Sequence, residues 1–416
     1  MGSEGYGRGR ALLAGGARFE REPGLIARLV APGWHKVLDQ IDSGLEKGVM
    51  LIHLPDGTTR RLGGSNPGLE TTVQLADWRA LMRLATNGSI GWYQAWEAGE
   101  WDSPDPVVIF AQFNDNAATL GDAARAKGPF RWAGKFAHWL NRNTPSGSKR
   151  NIHAHYDLGN DFYDQWLDPT MSYSSAMFEA GDDLEAAQRR KWARLGERLG
   201  NSETVLEIGC GWGSLADYLA QRGAKVTAIS LSDEQLAWAR ERQHPSIDFR
   251  KQDYRDVAEK FEAIVSVEMV EAVGREYWPS YFDCIANCLK PGGRAAIQYI
   301  SIDDDLFDSY AASADFIQAY IFPGGLLIRT SEFRALAAER GLSWEGQQDF
   351  GLDYARTLKI WRERFDAAVD EGRLPDGFDA RFARLWRFYL MYCEGGFRGG
   401  GINVHQVTLI KEQKQE

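Results

Sequence analysis

The sequence predicts an α/β fold, a doubly wound parallel sheet with helices on both faces, preceded by a smaller α+β domain. Three observations predict it. Short apolar runs at 205–208, 225–229, 247–249, 263–266 and 294–299 alternate with segments of helical length, as βαβ units do. A glycine-rich turn, Gly209-Cys210-Gly211-Trp212-Gly213, follows the first of these runs. The chain's 416 residues suit two or three domains.

Helices are expected at 214–222, 233–243 and about 275–289, and Pro291-Gly292-Gly293 turns the chain into the last strand. In the N-terminal part, 49–54 and 71–75 read as strands, with a turn at Asp56-Gly57 after the first. A helix is expected near 77–86. The stretch 88–102 carries Trp92, Tyr93, Trp96 and Trp101. Such aromatic density requires buried or interfacial surface. The expected divisions are a loose tail at 1–24, a lipid-associated domain at 25–125, a linker at 126–150, the sheet domain at 151–410 and a tail at 411–416. A helical cap is expected near 303–330, inserted in the sheet domain.

The formal net charge is −10, which argues against a nucleic-acid partner. No apolar run reaches the roughly 18 residues of a membrane span. Cys210, Cys284, Cys288 and Cys393 show no paired C-x-x-C spacing, so neither disulfides nor zinc are expected. Cys284 and Cys288 lie four apart on one helix and are expected to face the core. His153 and His155 are two apart with no third ligand nearby, so no metal is expected. Asp303-Asp304-Asp305 reads as a solvated helix start. Arg398 suits a lipid phosphate or a salt bridge equally.

The linker has its own texture. Lys127, Arg131, Lys135, Arg142, Lys149 and Arg150 interleave with Phe130, Trp132, Phe136 and Trp139. That pattern fits a membrane-surface segment. It fits equally a solvated linker whose aromatics pack on a domain.

A G-x-G-x-G turn alone is weak evidence for a nucleotide site. Here Glu207 ends the strand before it, and the dinucleotide spacing G-x-G-x-x-G is absent. The form E-x-G-x-G-x-G, with Lys290-Pro291-Gly292-Gly293 later, resembles Rossmann-like class I methyltransferases. Further motifs narrow the resemblance. They are His153 to Tyr163, Leu167 to Ala176, Ile229-Ser230-Leu231-Ser232-Asp233-Glu234-Gln235, Tyr320-Ile321-Phe322-Pro323-Gly324-Gly325, Asp353-Tyr354 with Thr357-Leu358, and Gly395-Gly396-Phe397-Arg398. Together they resemble the cyclopropane-fatty-acyl-phospholipid synthase family over 151–410. The resemblance implies an S-adenosylmethionine site at Tyr173, Ser174, Gly209, Gly211, Ser230, Leu231, Gln235, Asp253 and Tyr254. It implies methyl transfer to the double bond of unsaturated phospholipid acyl chains. The sparse cysteines fit a reducing cytosol, and with the linker the expectation is a cytoplasmic enzyme peripheral to the inner face of the membrane, with a homodimer as one expected assembly. A non-catalytic S-adenosylmethionine- and lipid-binding relative and a small-molecule methyltransferase stand as alternatives.

The chemistry needs a cation to be tolerated and then deprotonated. Aromatic faces stabilise cations, and Tyr299, Phe316, Tyr320 and Phe322 are candidates, with core packing the other reading of each. Ring-forming members of the family hold bicarbonate as the base. Carried over, its site maps to Glu271, Tyr354 and the backbone NH of Ile300, which keep the pattern. Ser175 stands for a cysteine and Gln298 for a histidine, and Ala272 follows Glu271 where a histidine is usual. Two outcomes stay open. Either bicarbonate binds and a cyclopropane forms, or the anion site is gone and the product is methyl-branched.

Overall fold

The structure is a computed structural model that describes residues 8–17, 31–121, 158–241, 244–312 and 314–413. The linker at 126–150 and His153 and His155 lie outside the described residues. Two compact units are present, and each is discontinuous in sequence.

The first unit contains Met1–Arg142, Asp303–Pro323 and Asp376–Ile402. Its four-stranded sheet has the order β2-β1-β3-β4, with β1 Lys47–His53, β2 Thr59–Gly63, β3 Asn66–Leu75 and β4 Trp101–Asp102. β1 runs antiparallel to β2 across the Asp56-Gly57 turn and parallel to β3. The expected helix at 77–86 extends over Arg79–Glu97, with a break at Gly88, whose φ is 57°. Glycine adopts that angle without penalty, so the chain continues as helix past the break. The aromatics beyond it are buried: Trp92 stacks on Trp101 at 4.2 Å, and the Trp101 indole donates to the Trp92 carbonyl at 2.9 Å.

Two expectations change here. Residues 10–17, read as loose tail, form a helix that buries Leu12 and Leu13. Gly16 allows that helix to approach Tyr320, whose ring a Cβ would strike. The segment 303–323, read as a cap on the sheet domain, groups with the N-terminal elements, as does the helix Ala380–Gly399. The reason is aromatic packing. Tyr93, Phe316, Tyr320 and Phe388 form one cluster with ring centroids 4.7–5.5 Å apart. Phe316 and Tyr320 are therefore core residues of this unit. As expected, Asp303 caps a helix, accepting from the Asp305 NH at 3.0 Å.

The second unit holds the large sheet, in the order β11-β12-β9-β8-β5-β6-β7, with β10 added beside β9. The strands are β5 Thr204–Ile208, β6 Lys225–Ser230, β7 Ile247–Lys251, β8 Phe261–Val267, β9 Leu289–Ile302, β10 Ile328–Arg329, β11 Leu342–Asp349 and β12 Ile402–Lys411. β5 pairs in parallel with β6 on one side and β8 on the other. The Val205, Leu206, Ile264 and Val265 side chains are buried, as strands covered on both faces require. The chain order reverses direction between β5 and β8. Ligands of open α/β sheets bind beyond the carboxyl ends of the strands at such a point.

Cys284 and Cys288 face the core, as expected. Tyr299 stacks on Phe333 at 4.2 Å and is fully buried. Ser301, His405 and Asp349 form a hydrogen-bonded chain with two contacts of 2.7 Å. The order resembles a hydrolytic triad, but Ser301 and His405 are buried and none of the three lines the cavity described below. The chain joins β9, β12 and β11.

At the end of β5, Gly209 has φ 81°, and a Cβ there would collide with the Met269 sulfur. Gly209→Ala is predicted to cost about 1–3 kcal/mol of folding stability and to weaken S-adenosylhomocysteine binding at least tenfold. Urea denaturation and calorimetric titration check both effects.

Candidate active site at the ends of the parallel strands

A cavity of about 180 Å³ opens beyond β5, β6 and β8. Tyr173, Ser174, Gly209, Gly211, Ser230, Leu231, Gln235, Asp253 and Tyr254, all expected at a cofactor site, line it together. Each is placed by local chemistry. The Gly209 and Cys210 NH groups both donate to the Ile229 carbonyl at 3.0 Å, fastening the glycine turn to β6. Gly211 and Gly213 also have positive φ (53° and 84°), angles that L residues adopt only under strain. Ser230 Oγ accepts from the Ser232 NH at 3.2 Å, and Ser232 Oγ accepts from the Gln235 NH at 3.3 Å. Asp253 caps a short turn and takes two hydrogen bonds from Arg255, at 2.8 and 2.6 Å. Tyr173 packs against Tyr163, Trp166 and Trp361 at 5.3–5.5 Å.

None of the expected catalytic residues Glu271, Tyr354, Gln298, Ser175 and Ile300 lines this cavity, but a residue that sequence reading missed joins three of them to it. Glu268 follows β8 and lines the cavity. One oxygen of its carboxylate accepts from the Ser175 NH at 2.9 Å and from the Gln298 amide at 2.8 Å. The other accepts from the Tyr354 hydroxyl at 2.8 Å. Gln298 is oriented in turn, since its oxygen accepts from the Gln406 amide at 3.0 Å. The Ser175 hydroxyl donates to the Ala176 carbonyl at 3.0 Å. The Asp353 and Thr357 motif fixes the neighbouring loop: Phe178 NH donates to Asp353 at 3.0 Å and Ala176 NH to the Thr357 hydroxyl at 3.1 Å.

Glu271 is buried and separate. One oxygen accepts from the Ile300 NH, and the other has no hydrogen-bond partner. Burial, with repulsion from Glu268 added, pushes its carboxyl up to about 8. Burial also raises Glu268, although Lys191 and the hydrogen bonds from Gln298, Ser175 and Tyr354 oppose it. Lys191 is the second residue missed. It is fully buried in the helix Leu184–Leu199 and donates to the Ser174 hydroxyl at 2.6 Å. Desolvation lowers it to about 8 against the pull of Glu268, Asp168 and Glu207. Glu207, at the end of β5, is pushed up to about 8 by burial and keeps an unpartnered oxygen.

One sequence signal pointed to Glu268. It is an acidic residue at a strand's carboxyl end, as Glu207 is. No motif marked Lys191, which sits on an amphipathic helix like any snorkelling lysine. Of the four aromatic candidates for cation stabilisation, none lines this cavity, whereas Trp192 and Trp212 do. Ala272 also lines it. Arg398 is exposed at the end of its helix.

A mostly parallel open sheet, with antiparallel β11 at its edge, a glycine turn and a lined cavity at its switch point, is the frame of Rossmann-like methyltransferases. Residues 144–407 match the mycolic acid cyclopropane synthetase family. The chain belongs to that family, and it is an S-adenosylmethionine-dependent methyltransferase. It is 36% identical to the tuberculostearic acid methyltransferase of Mycobacterium tuberculosis, over 87% of this chain and 83% of that one. It is 35% identical to the cyclopropane-fatty-acyl-phospholipid synthase of Escherichia coli, over 79% and 85%. Among solved structures, a cyclopropane synthase from Mycobacterium tuberculosis matches with TM-score 0.58 and 29% identity, covering 63% of this chain and 98% of that one. A mycolic acid cyclopropane synthase complexed with SAH and CTAB matches with TM-score 0.60 and 27% identity, with the same coverage.

Glu271 carries a testable signature. Its carboxyl holds a proton more tightly folded (about 8) than at its ordinary 4.5. Its contribution to stability is thus fully present below about 4.5 and lost as pH rises to about 8. Relative to Glu271→Gln, the wild-type melting temperature is predicted to fall by several degrees across that range, on the order set by domain size. Parallel melting curves for the two proteins would contradict this.

Proposed function

We propose that this protein transfers the methyl carbon of S-adenosylmethionine to the double bond of an unsaturated fatty acyl chain of a phospholipid, giving a methyl-branched or cyclopropane acyl chain. The observation that carries the reading is that nine residues expected at a cofactor site line one cavity with Glu268, whose carboxylate accepts from Tyr354. Such an arrangement puts a methyl donor beside groups that can take a proton. The names of the two relatives above support an acyl substrate, and they bracket both products.

In this reading the glycine turn cradles the donor's amino-acid end, and Ser230, Leu231, Gln235, Asp253 and Tyr254 hold its nucleoside end. The unpartnered oxygen of Glu207 offers an acceptor to a hydroxyl or ammonium. An alkene is a weak nucleophile, so alignment and exclusion of water must supply much of the rate. Glu271, Tyr354, Gln298, Ser175 and the NH of Ile300 serve the reacting centre. No described helix is long and apolar enough to cross a membrane. The substrate lies in a bilayer, so the reading includes peripheral association through the basic aromatic segment 126–150 and a lipid-associated role for the N-terminal part. Homodimer formation belongs to the same reading.

The test uses vesicles of cis-monounsaturated phospholipid and S-adenosylmethionine with a trideuterated methyl. The acyl chains are expected to gain one labelled carbon by mass spectrometry. Two deuteriums kept would mean that the new methyl lost the proton, giving a ring or a methylene. Three kept would mean that the chain lost it, giving a methyl-branched alkene. No labelled lipid across several unsaturated chains would refute the reading.

A further inference from the structure

The proton acceptor of this reaction has to sit where the cationic adduct forms, and the structure provides one not foreseen from sequence. This inference rests on the reading above. A bound inorganic anion would need Ser175, Gln298, Tyr354 and the Ile300 NH as its donors. In this structure every one of them already donates to a carboxylate of the protein: the first three to Glu268, the last to Glu271. The Ser175 hydroxyl is also engaged, with the Ala176 carbonyl. No donor of the set remains to hold bicarbonate. The charged Glu268 carboxylate would also oppose an added anion. The site does not fit bicarbonate.

We infer that the Glu268 carboxylate fills the anion seat and is itself the catalytic base.

Three further observations support this assignment. Glu268 lines the same cavity as Tyr173, Ser174 and Gly209 and is partly open to it, so its carboxylate borders the space a donor methyl would enter. It is held at φ 53°, one of only two non-glycine residues with positive φ among those described. A glutamate pays for that conformation, and strain of this kind persists where surrounding contacts impose it. The two acids also have different inventories. Glu268 accepts three hydrogen bonds with Lys191 acting on it as a cation, and these oppose the upward push of its burial on behalf of the charged form. Glu271 has one donor and an orphan oxygen, which favours the neutral form. Paired carboxyls driven apart in this way take different roles. Glu271 thus becomes a neutral neighbour that positions the Ile300 backbone.

The step balances. The alkene π pair forms the new C–C bond to the methyl, and the S–CH₃ bond breaks with its pair staying on sulfur. The sulfonium becomes a neutral thioether, and the positive charge passes to the acyl chain. Glu268 then takes a proton from carbon. The released C–H pair closes the new C–C bond of a ring or a new C=C bond. The carboxylic acid returns its proton to water.

Two variants separate the outcomes. Glu268→Gln keeps size and removes the base. Glu268→Gly relaxes the backbone and empties the seat. Binding of S-adenosylhomocysteine, expected within threefold of wild type in Glu268→Gln, checks that the site is folded. Wild-type methyl transfer is expected to change less than twofold in buffer stripped of carbon dioxide. Glu268→Gln is expected to lose at least 100-fold in turnover. Glu268→Gly is expected to lose as much and to recover at least tenfold with added bicarbonate or formate. Independently of turnover, ¹³C-bicarbonate line broadening is expected with Glu268→Gly and absent with wild type. Wild-type activity that needs bicarbonate, wild-type binding of ¹³C-bicarbonate, or a Glu268→Gln enzyme of normal rate would each overturn the assignment. If wild type methylates no lipid, the proposed function fails, and the ¹³C measurement still decides what fills the seat.

Discussion

Two neighbouring parallel strands end at the same level, and both chains leave them in the left-handed region. Gly209 does so after β5 at φ 81°, and Glu268 does so after β8 at φ 53°. Everything at the site depends on that constraint. The first exit puts the glycine turn at the cavity wall with no side chain at Gly209 or Gly211. The second turns an acidic side chain inward, onto Ser175, Gln298 and Tyr354. The two exits also interlock, because Met269 occupies the space that a Cβ on Gly209 would need. A change in either turn is felt by the other.

The electrostatics follow from the same geometry. Glu207, Glu268 and Asp168 come within reach of one buried lysine, Lys191, while Glu271 feels the repulsion of Glu268. Burying unpaired charge is costly, so such groups either pair or neutralise. Glu268 pairs. Glu207 and Glu271, each with an unpartnered oxygen, are pushed towards the neutral form. The cluster is therefore a site that trades stability for chemistry, as active sites commonly do.

Much of this was legible in the sequence. The parallel strands were readable as short apolar runs because both faces are covered. That nine residues would gather at one cavity was readable because their motifs sit at strand ends and turns, where local backbone chemistry decides the structure. Ser175 and Gln298 were legible as departures from the family pattern, but what they now hold was not. That required knowing that Glu268 turns inward, and positive φ at a glutamate leaves no mark in sequence. Lys191 was hidden for a different reason. A lysine on an amphipathic helix normally reaches solvent, and only the tertiary arrangement of three acids keeps this one inside. The unit boundaries escaped because contact between distant aromatics, such as Tyr93 with Phe316 and Phe388, has no local signal. The helix at 10–17 escaped because its apolar face is only Leu12 and Leu13.

The most direct test of the central claim is a crystal structure of the wild-type protein with S-adenosylhomocysteine, grown at high bicarbonate concentration. The predicted result is the Glu268 carboxylate within hydrogen-bond distance of the Ser175 NH, the Gln298 amide and the Tyr354 hydroxyl, with no separate anion there. A trigonal anion on those three donors, with Glu268 turned away, would contradict it.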